Sequence, residues 1–347
     1  MTQRTYLDWN ATAPLRPEAR AAMAAAMDVL GNPASVHGEG RAARAIVERA
    51  RAQVAAATGC AAGDVVFTSG ATEAAALALA GRRLSGAAVE HDCVAAWVDL
   101  TLPVDGDGRV TVAAPAAGVL QAANSETGIL QDLPHGLACI DAVQAVGKVT
   151  FAFDWTGAET ALVSAHKLGG PAGVGALLVA PGVELAPVLR GGGQENGRRA
   201  GTENLVGIAG FGAAAEAAAA ELAAGVWDEV AALRDLLEAA LESFASMTIL
   251  VGKGALRLPN TSCIVVPGWK GETQVMQMDL AGFAVSAGSA CSSGKVRTSR
   301  VLTAMGLGAV AGCALRVSIG PTTTRDDVLA FAGAWERHYR RFASRAA

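Results

Sequence analysis

The chain has 347 residues, of which 52% are hydrophobic, and its formal net charge is −4. This length and apolar content suffice for one or two domains with a large buried core. Lysine and arginine are scattered along the chain, which argues against a nucleic-acid surface. No uninterrupted apolar run reaches the ~18 residues of a membrane span, and we expect neither a membrane partner nor a secretion signal.

The pattern of apolar residues predicts an α/β fold. In chain order it predicts helices over 17–30 and 40–59, a strand over 65–67, a helix over 74–80, strands over 87–89, 120–123, 138–140, 161–163 and 175–179, and one long helix over 207–244. Short apolar strands that alternate with alanine-rich helices are typical of a mostly parallel sheet between helical layers. After Pro259 the pattern changes to a strand over 261–266, a helix over 273–280 and a strand over 315–319, which predicts a smaller α+β domain.

The cysteines indicate the redox compartment. The chain contains Cys60, Cys93, Cys139, Cys263, Cys291 and Cys313. None of them forms a Cys-x-x-Cys pair, so we expect free thiols in a reducing, cytoplasmic compartment and no structural metal site.

The segment Ser164-Ala165-His166-Lys167 follows a predicted strand and precedes a glycine-rich turn. A lysine beside hydroxyl and imidazole donors, with Asp141 at the end of an earlier strand, suits pyridoxal phosphate. In this interpretation Lys167 forms a Schiff base with the cofactor, and Asp141 keeps the pyridine nitrogen protonated so that the ring acts as an electron sink. An ordinary polar loop is the alternative.

Three more segments lie where predicted strands end. In Thr68 to Glu73, a helix begins and its free N–H groups favour a phosphate, although a simple helix cap is also compatible. His91 can stack on a planar cofactor or move a proton, or it can be an ordinary surface histidine. Asn124-Ser125-Glu126-Thr127-Gly128 occupies the edge where α/β sheets bind ligands, or forms a plain polar turn.

Later segments carry a cysteine and an arginine in unusual surroundings. Cys291 lies in a run of glycine, serine and alanine that is typical of a mobile loop, where a thiol can act as a nucleophile or be incidental. Arg316 interrupts an apolar strand, so it needs an anion, either a substrate carboxylate or a structural partner. The glycine-rich segment 190–204 is a flexible surface loop or a closely approached backbone.

Together and in this order, these motifs closely resemble the class V aminotransferase family and, within it, the cysteine desulfurases of the NifS/IscS-like branch. The resemblance extends from Tyr6 to Thr324 and includes Gly31-Asn32-Pro33-Ala34-Ser35. It implies a pyridoxal-phosphate-dependent transferase of fold type I. The implied large domain covers 12–250 and has a mainly parallel, seven-stranded-type sheet, and 1–11 with 251–347 form the small domain.

The resemblance also implies a role for individual residues. The implied catalytic residues are Lys167, which holds the cofactor covalently, Cys291, which takes the sulfur, and His91, which stacks on the ring. The implied cofactor contacts are Ala71, Thr72, Ser164 and His166 near the phosphate, Asp141 at the pyridine nitrogen, Gln144 at the phenolic oxygen, and Thr202 from the neighbouring subunit of a homodimer. Arg316, with Asn32, is implied to bind the substrate carboxylate.

This chain departs from the family at one cofactor contact. The family commonly has two asparagines where this chain has Asn124-Ser125, and the contact falls on the second. Either Ser125 makes it with a shorter side chain, or Asn124 reaches in. The segments 81–90 and 98–119 are also shorter than usual for the family.

The resemblance therefore implies a cysteine desulfurase that converts L-cysteine to L-alanine and places sulfur on Cys291 as a persulfide. Its partner would be a sulfur-acceptor protein such as an iron–sulfur scaffold. Selenocysteine lyase or another class V lyase is the enzymatic alternative, and a catalytically silent scaffold is the alternative of another class.

Overall fold

A computed structural model describes residues 4–288 and 298–346. The strands are β1 (Thr5–Tyr6), β2 (Val65–Thr68), β3 (Ser85–Ala87), β4 (Asp99–Leu102), β5 (Val119–Gln121), β6 (Cys139–Asp141), β7 (Thr160–Ser164), β8 (Gly175–Val179), β9 (Ile249–Val251), β10 (Thr261–Val265), β11 (Phe283–Ala284), β12 (Ser286–Ala287) and β13 (Ala314–Ser318). The α-helices are α1 (Pro17–Met27), α2 (Gly38–Thr58), α3 (Ala71–Leu79), α4 (Asp92–Ala95), α5 (Phe153–Thr156), α6 (Leu205–Ala223), α7 (Val226–Phe244), α8 (Gly271–Leu280), α9 (Arg300–Ala304) and α10 (Arg325–Ala346).

The central sheet has the strand order β2-β8-β7-β6-β5. A parallel bridge between Ser85 and Gly118 joins the β3–β4 pair to its β5 edge, which brings the sheet to seven strands. Strand β8 is antiparallel to both of its neighbours, and the other pairings are parallel. This arrangement confirms the predicted α/β class and its mainly parallel seven-stranded sheet.

Helices cover both faces of this sheet. On one face Phe67 packs edge to face against Phe211 of α6, in a core that also contains Val47 of α2. On the other face Leu77 of α3 packs with Leu177 of β8. Every residue of β6, β7 and β8 is buried, which explains why their sequences are continuous apolar runs without alternation.

The prediction of one long helix over 207–244 is wrong, because Gly225 separates α6 from α7 with a left-handed φ of +76°. Helix α6 packs against α1 and α2. By length and composition α6 could cross a membrane, but half of its apolar window is buried in the protein, as in the core helix of a globular domain. Helix α7 turns away and buries Trp227 and Leu241 in a second core.

This second core belongs to the smaller α+β unit. Its antiparallel sheet has the order β12-β13-β10-β9, and β1 pairs with β11 beside it. Leu7, Leu315 and Trp335 are buried together there, so the first strand of the chain packs with the last helix, α10. The domain boundaries at 11/12 and 250/251 remain a prediction. Helix α7 lies within the predicted large domain by sequence, but its apolar side chains pack in the core of the smaller unit.

The turn at Gly225 generates a prediction about stability. In Gly225→Ala a side chain must adopt a left-handed conformation, so we expect the free energy of unfolding to fall by about 1–2 kcal/mol. Gly254→Ala is the matched control, because Gly254 has no such φ and open space where its Cβ would lie. Denaturant unfolding of both variants measures the difference. Equal stability of the two variants would contradict this explanation of the break.

Candidate active site

A cavity of 490 Å³ lies at the carboxyl ends of β6 and β7, where the chain leaves the sheet. Its volume falls in the usual range for a small-molecule site. The predicted site residues on its wall are Ala71, Thr72, His91, Ser125, Asp141, Gln144, Ser164, His166 and Lys167. These residues come from five separate segments of the chain, so the fold brings most of the predicted site together. Among the described residues, no group of three or more His, Cys, Asp or Glu side chains could hold a metal ion.

One end of the cavity is formed by the first turn of α3. The first backbone N–H of this helix to reach a carbonyl is that of Ala74, which donates to Gly70. The N–H groups of Ala71 and Thr72 have no such partner within the described chain and line the cavity. Together with the helix dipole, they make this end suitable for an anion.

Lys167 follows β7 after one short turn, so the rigid strand holds its backbone at the cavity. Its Nζ donates to the backbone carbonyl oxygens of Asn10 at 2.6 Å and of Ala11 at 2.9 Å. Both acceptors lie in the turn that follows β1. The lysine is therefore held between the central sheet and the start of the chain.

Asp141 and His91 are polar residues on the cavity wall. Burial raises the pKa of the Asp141 carboxyl, and the nearby His91 and Lys167 and a hydrogen bond from the Val143 N–H partly offset this. His91 Nδ1 accepts the N–H of Cys93 at 3.2 Å, which places the proton of a neutral ring on Nε2. A buried carboxyl of this kind favours a cationic N–H partner.

His166 is also on the cavity wall. Burial, with repulsion from Lys167 and Lys148, lowers the pKa of its imidazole to about 4. Its Nδ1 lies 3.3 Å from the hydroxyl oxygen of Thr12. At neutral pH the ring is therefore a neutral hydrogen-bonding group.

Asn124 and Ser125 have different surroundings in the structure. Asn124 is buried, and its Oδ1 accepts the backbone N–H groups of Glu126 and Thr127 while its Nδ2 donates to the carbonyl of Val89. These bonds use the amide to hold the turn together. Ser125 lies on the cavity wall instead.

Three further predicted residues, Arg316, Asn32 and Thr202, are not on the wall of this cavity. Arg316 is 1% exposed and pairs with Asp8 at 2.7 Å, so it has a structural partner in this state. Asn32 is exposed, and its Oδ1 caps the N–H of Ala34. Thr202 lines a separate hollow of 140 Å³ that shares Ser69 and Gly173 with the main cavity. Cys291 lies outside the described residues.

Sequence reasoning missed three residues at this cavity. Asn10 and Cys93 are on its wall, and Lys148 is buried behind Gln144. Asn10 follows the first strand in a polar turn, and Lys148 is four residues after Gln144, a spacing that puts both on one side of a helical turn. These sequence positions were the features from which Asn10 and Lys148 could have been predicted.

Comparisons with known proteins find relatives over almost the whole chain. The family model "Aminotransferase class-V" matches residues 5–98 and 111–331. A cysteine desulfurase of Cereibacter sphaeroides is 39% identical, with 94% of this chain and 93% of that protein aligned. The cysteine desulfurase IscS of Dictyoglomus turgidum is 35% identical, with 94% and 92% aligned. The structure of a NifS-like protein from Rickettsia africae superimposes with a TM-score of 0.89 at 29% identity, covering 97% of this chain and all of that one.

The chain belongs to the class V aminotransferase family. Within this family it groups with the cysteine desulfurases, which confirms the resemblance found in the sequence. The family match skips residues 99–110, which include β4 and the bridge between Val104 and Val110 at the edge of the sheet. The short segment 98–119 contains this skipped part, whereas the short segment 81–90 ends at Glu90, whose carboxylate accepts the backbone N–H of Gln121 on the cavity wall.

The lowered pKa of His166 generates a prediction about the cofactor-free protein. Between pH 6.5 and about 4 the unfolded chain protonates this histidine and the folded protein does not, so folding should lose stability as the pH falls through this window. His166→Gln removes that loss. We expect its melting temperature to fall less than that of the wild type from pH 7 to pH 4.5.

The control for this prediction is His135→Gln, which changes an exposed histidine on another part of the surface. It should keep the pH dependence of the wild type. If His166→Gln also keeps it, then His166 is not held neutral in the folded protein.

Proposed function

We propose that this protein is a pyridoxal-phosphate-dependent cysteine desulfurase, which converts L-cysteine to L-alanine and moves the sulfur to Cys291. The observation that carries the proposal is the placement of Lys167 and Asp141 on one cavity of a fold shared with the cysteine desulfurases. A lysine amine and a buried carboxyl in one cavity are the two groups that this cofactor requires.

The residues present fit the cofactor. The phosphate would be held by the N–H groups that begin α3, with the hydroxyl groups of Thr72 and Ser164 and the neutral ring of His166. Gly70, just before this helix, has φ of +154° and no atom within 4 Å of the place of a Cβ, so the anion has room to approach the backbone. Asp141 would accept the pyridine N–H.

Bound pyridoxal phosphate supplies an electron sink that makes the Cα proton of the substrate acidic and weakens its Cβ–S bond. Lys167 is the base that removes the Cα proton, because its amine is the basic group at the cavity end of β7. Asp141 would hold the protonated ring nitrogen, and His91 would stack on the ring face. Gln144 would bind the phenolic oxygen, and Ser125 would make the further cofactor contact that the family has at this position.

Sulfur transfer is assigned to Cys291. Its thiolate attacks the substrate sulfur, the new S–S bond forms, and the Cβ–S bond breaks with its electron pair remaining on carbon. Protonation of that carbon gives alanine, and the enzyme keeps a persulfide. A low pKa, an exposed position and small neighbours are what such a thiol requires.

Arg316 is the proposed binding group for the substrate carboxylate, with Asn32 as a further contact. In this structure one terminal nitrogen of the guanidinium donates to Asp8 and the other donates to the backbone carbonyl of Ser125. Its Nε has no partner in the described part of the chain. A buried arginine with an unused N–H can accept a second anion. The carboxylate of cysteine would then share Arg316 with Asp8.

The proposed partners follow from the same chemistry. We propose a homodimer, with Thr202 reaching the phosphate of the neighbouring subunit, and a sulfur-acceptor protein such as an iron–sulfur scaffold that collects the persulfide. The five cysteines that the structure describes are all unpaired, which supports a reducing, cytoplasmic location.

Two variants test the activity. Lys167→Ala should lose the visible absorption of the cofactor and all alanine formation. Cys291→Ser should keep that absorption and its response to L-cysteine but lose the persulfide, because its thiol acts last. Alanine release and persulfide mapping by mass spectrometry measure both, with Cys313→Ser as the matched control. Normal turnover in Lys167→Ala, or sulfur on another cysteine of the wild type, would refute the assignment.

A mixed dimer tests whether Thr202 acts across the interface. One chain carries Thr202→Ala and the other Lys167→Ala. If Thr202 acts in the partner's site, one site of the hybrid has both changes and the other has none, so the hybrid should recover about half of the wild-type activity. A purified hybrid that is no more active than the two parent homodimers would place Thr202 in the site of its own subunit.

A further inference from the structure

The cavity has a second lysine behind its wall, and the mechanism proposed above gives it no role. Lys148 is 3% exposed, and its Nζ lies 2.6 Å from Oε1 of Gln144 and 3.4 Å from Oδ1 of Asn10. Burying an amine at this depth is costly unless its N–H groups find acceptors. The two acceptors are both side-chain amides, and both amides belong to residues on the cavity wall.

The Gln144 amide has one arrangement that satisfies its neighbours. Its Oε1 accepts from Lys148, and its Nε2 donates to the backbone carbonyl of Asn10 at 3.0 Å. In the flipped arrangement, Nε2 would face the donor of Lys148 and Oε1 would face the carbonyl oxygen of Asn10. Because Lys148 donates to Oε1 of Gln144, the NH₂ group of that amide points away from Lys148. One of its two N–H groups donates to Asn10, and the other is available for a ligand.

The Asn10 amide is oriented in the same way. Its Oδ1 accepts from Asn260 at 3.0 Å and from Lys148, and its Nδ2 donates to the hydroxyl of Thr261 at 2.8 Å. The backbone carbonyl of Asn10 accepts from both Gln144 and Lys167. Lys148 is thus connected to Lys167 through two amides whose orientation it helps to fix.

We propose that Lys148 is a positioning residue that keeps an N–H of Gln144 facing the phenolic oxygen of the cofactor. This inference rests on the proposed function, because it needs pyridoxal phosphate in the cavity.

The electrostatics of the site are compatible with this role. Burial, together with the positive charges of Lys167 and Arg316, lowers the pKa of Lys148 well below its usual range. A neutral amine still carries two N–H groups, one for each amide oxygen, so the positioning persists in both protonation states.

The test measures the pH-dependent visible absorption of the bound cofactor, which reports the hydrogen bond at the phenolic oxygen independently of turnover. A donor to this oxygen stabilises its anionic form. In Lys148→Met that donor is no longer held, so we expect the titration midpoint of the absorption to rise by about one unit, which is a tenfold change in proton affinity. Lys253→Met is the matched control, because Lys253 is half exposed and pairs with Glu242 at the surface.

Two further variants distinguish positioning from other roles. Lys148→Arg keeps N–H donors at this place and should restore the midpoint, and it remains informative if Lys148→Met folds poorly. In the Gln144→Ala background, Lys148→Met should shift the midpoint no further, because the group through which Lys148 acts is gone. An equal shift in both backgrounds would mean that Lys148 acts directly through its charge and would overturn the proposal.

The failures of the two proposals are distinguishable. A wild-type protein that shows no visible cofactor band after incubation with pyridoxal phosphate contradicts the proposed function and this inference with it. A wild-type band that titrates normally, with the same midpoint in Lys148→Met, refutes only the role of Lys148.

Discussion

The backbone carbonyl of Asn10 accepts hydrogen bonds from two of the segments that form the candidate site. It accepts Nζ of Lys167 from the central sheet and Nε2 of Gln144 from the turn after β6. The N–H of the same residue donates to Ser318 of β13, in the smaller unit. One short turn therefore joins the first strand of the chain, the large sheet and the small sheet at the cavity. These hydrogen bonds connect Lys167 to residues of both units.

Charge is arranged around this turn with few solvent contacts. Asp8 and Arg316 pair on one side of the turn, and Lys148 is enclosed by amide oxygens on the other. Buried ion pairs of this kind add little to stability by themselves. Removing one partner is costly, however, because the other charge then stays buried without compensation. Most polar atoms of these side chains have a hydrogen-bond partner, although Nε of Arg316 has none among the described residues. The proposed cofactor would complement the polar groups of the cavity wall, because it has a phosphate, a cationic ring nitrogen and an anionic oxygen.

Much of this could be predicted from the sequence, for identifiable reasons. The strands β6, β7 and β8 were predictable because they are apolar on both faces, and the polar side chains after parallel strands must meet at one edge. The seven-stranded sheet and the family followed from the resemblance. The break at Gly225 was missed, because a single glycine within an alanine-rich helical pattern does not by itself end a helix.

The contacts inside the site were not predictable in the same way. The positions of Asn124 and Ser125 depend on how the Asn124 amide caps the turn, and the pairing of Arg316 with Asp8 joins residues at opposite ends of the chain. Lys148 is a charged residue in an apolar position, and the sequence carries no sign that two amides enclose it. Such long-range hydrogen bonds are set by tertiary packing, which local pattern does not encode.

The proposed function requires that Lys167, and not Lys148, binds the cofactor covalently. Peptide mapping after incubation with pyridoxal phosphate and reduction with sodium borohydride tests this directly, because reduction fixes the cofactor to its lysine. We expect the pyridoxyl mass on the peptide that contains Lys167, with Lys148 unmodified. A label on Lys148, or equal labelling of surface lysines, would contradict it.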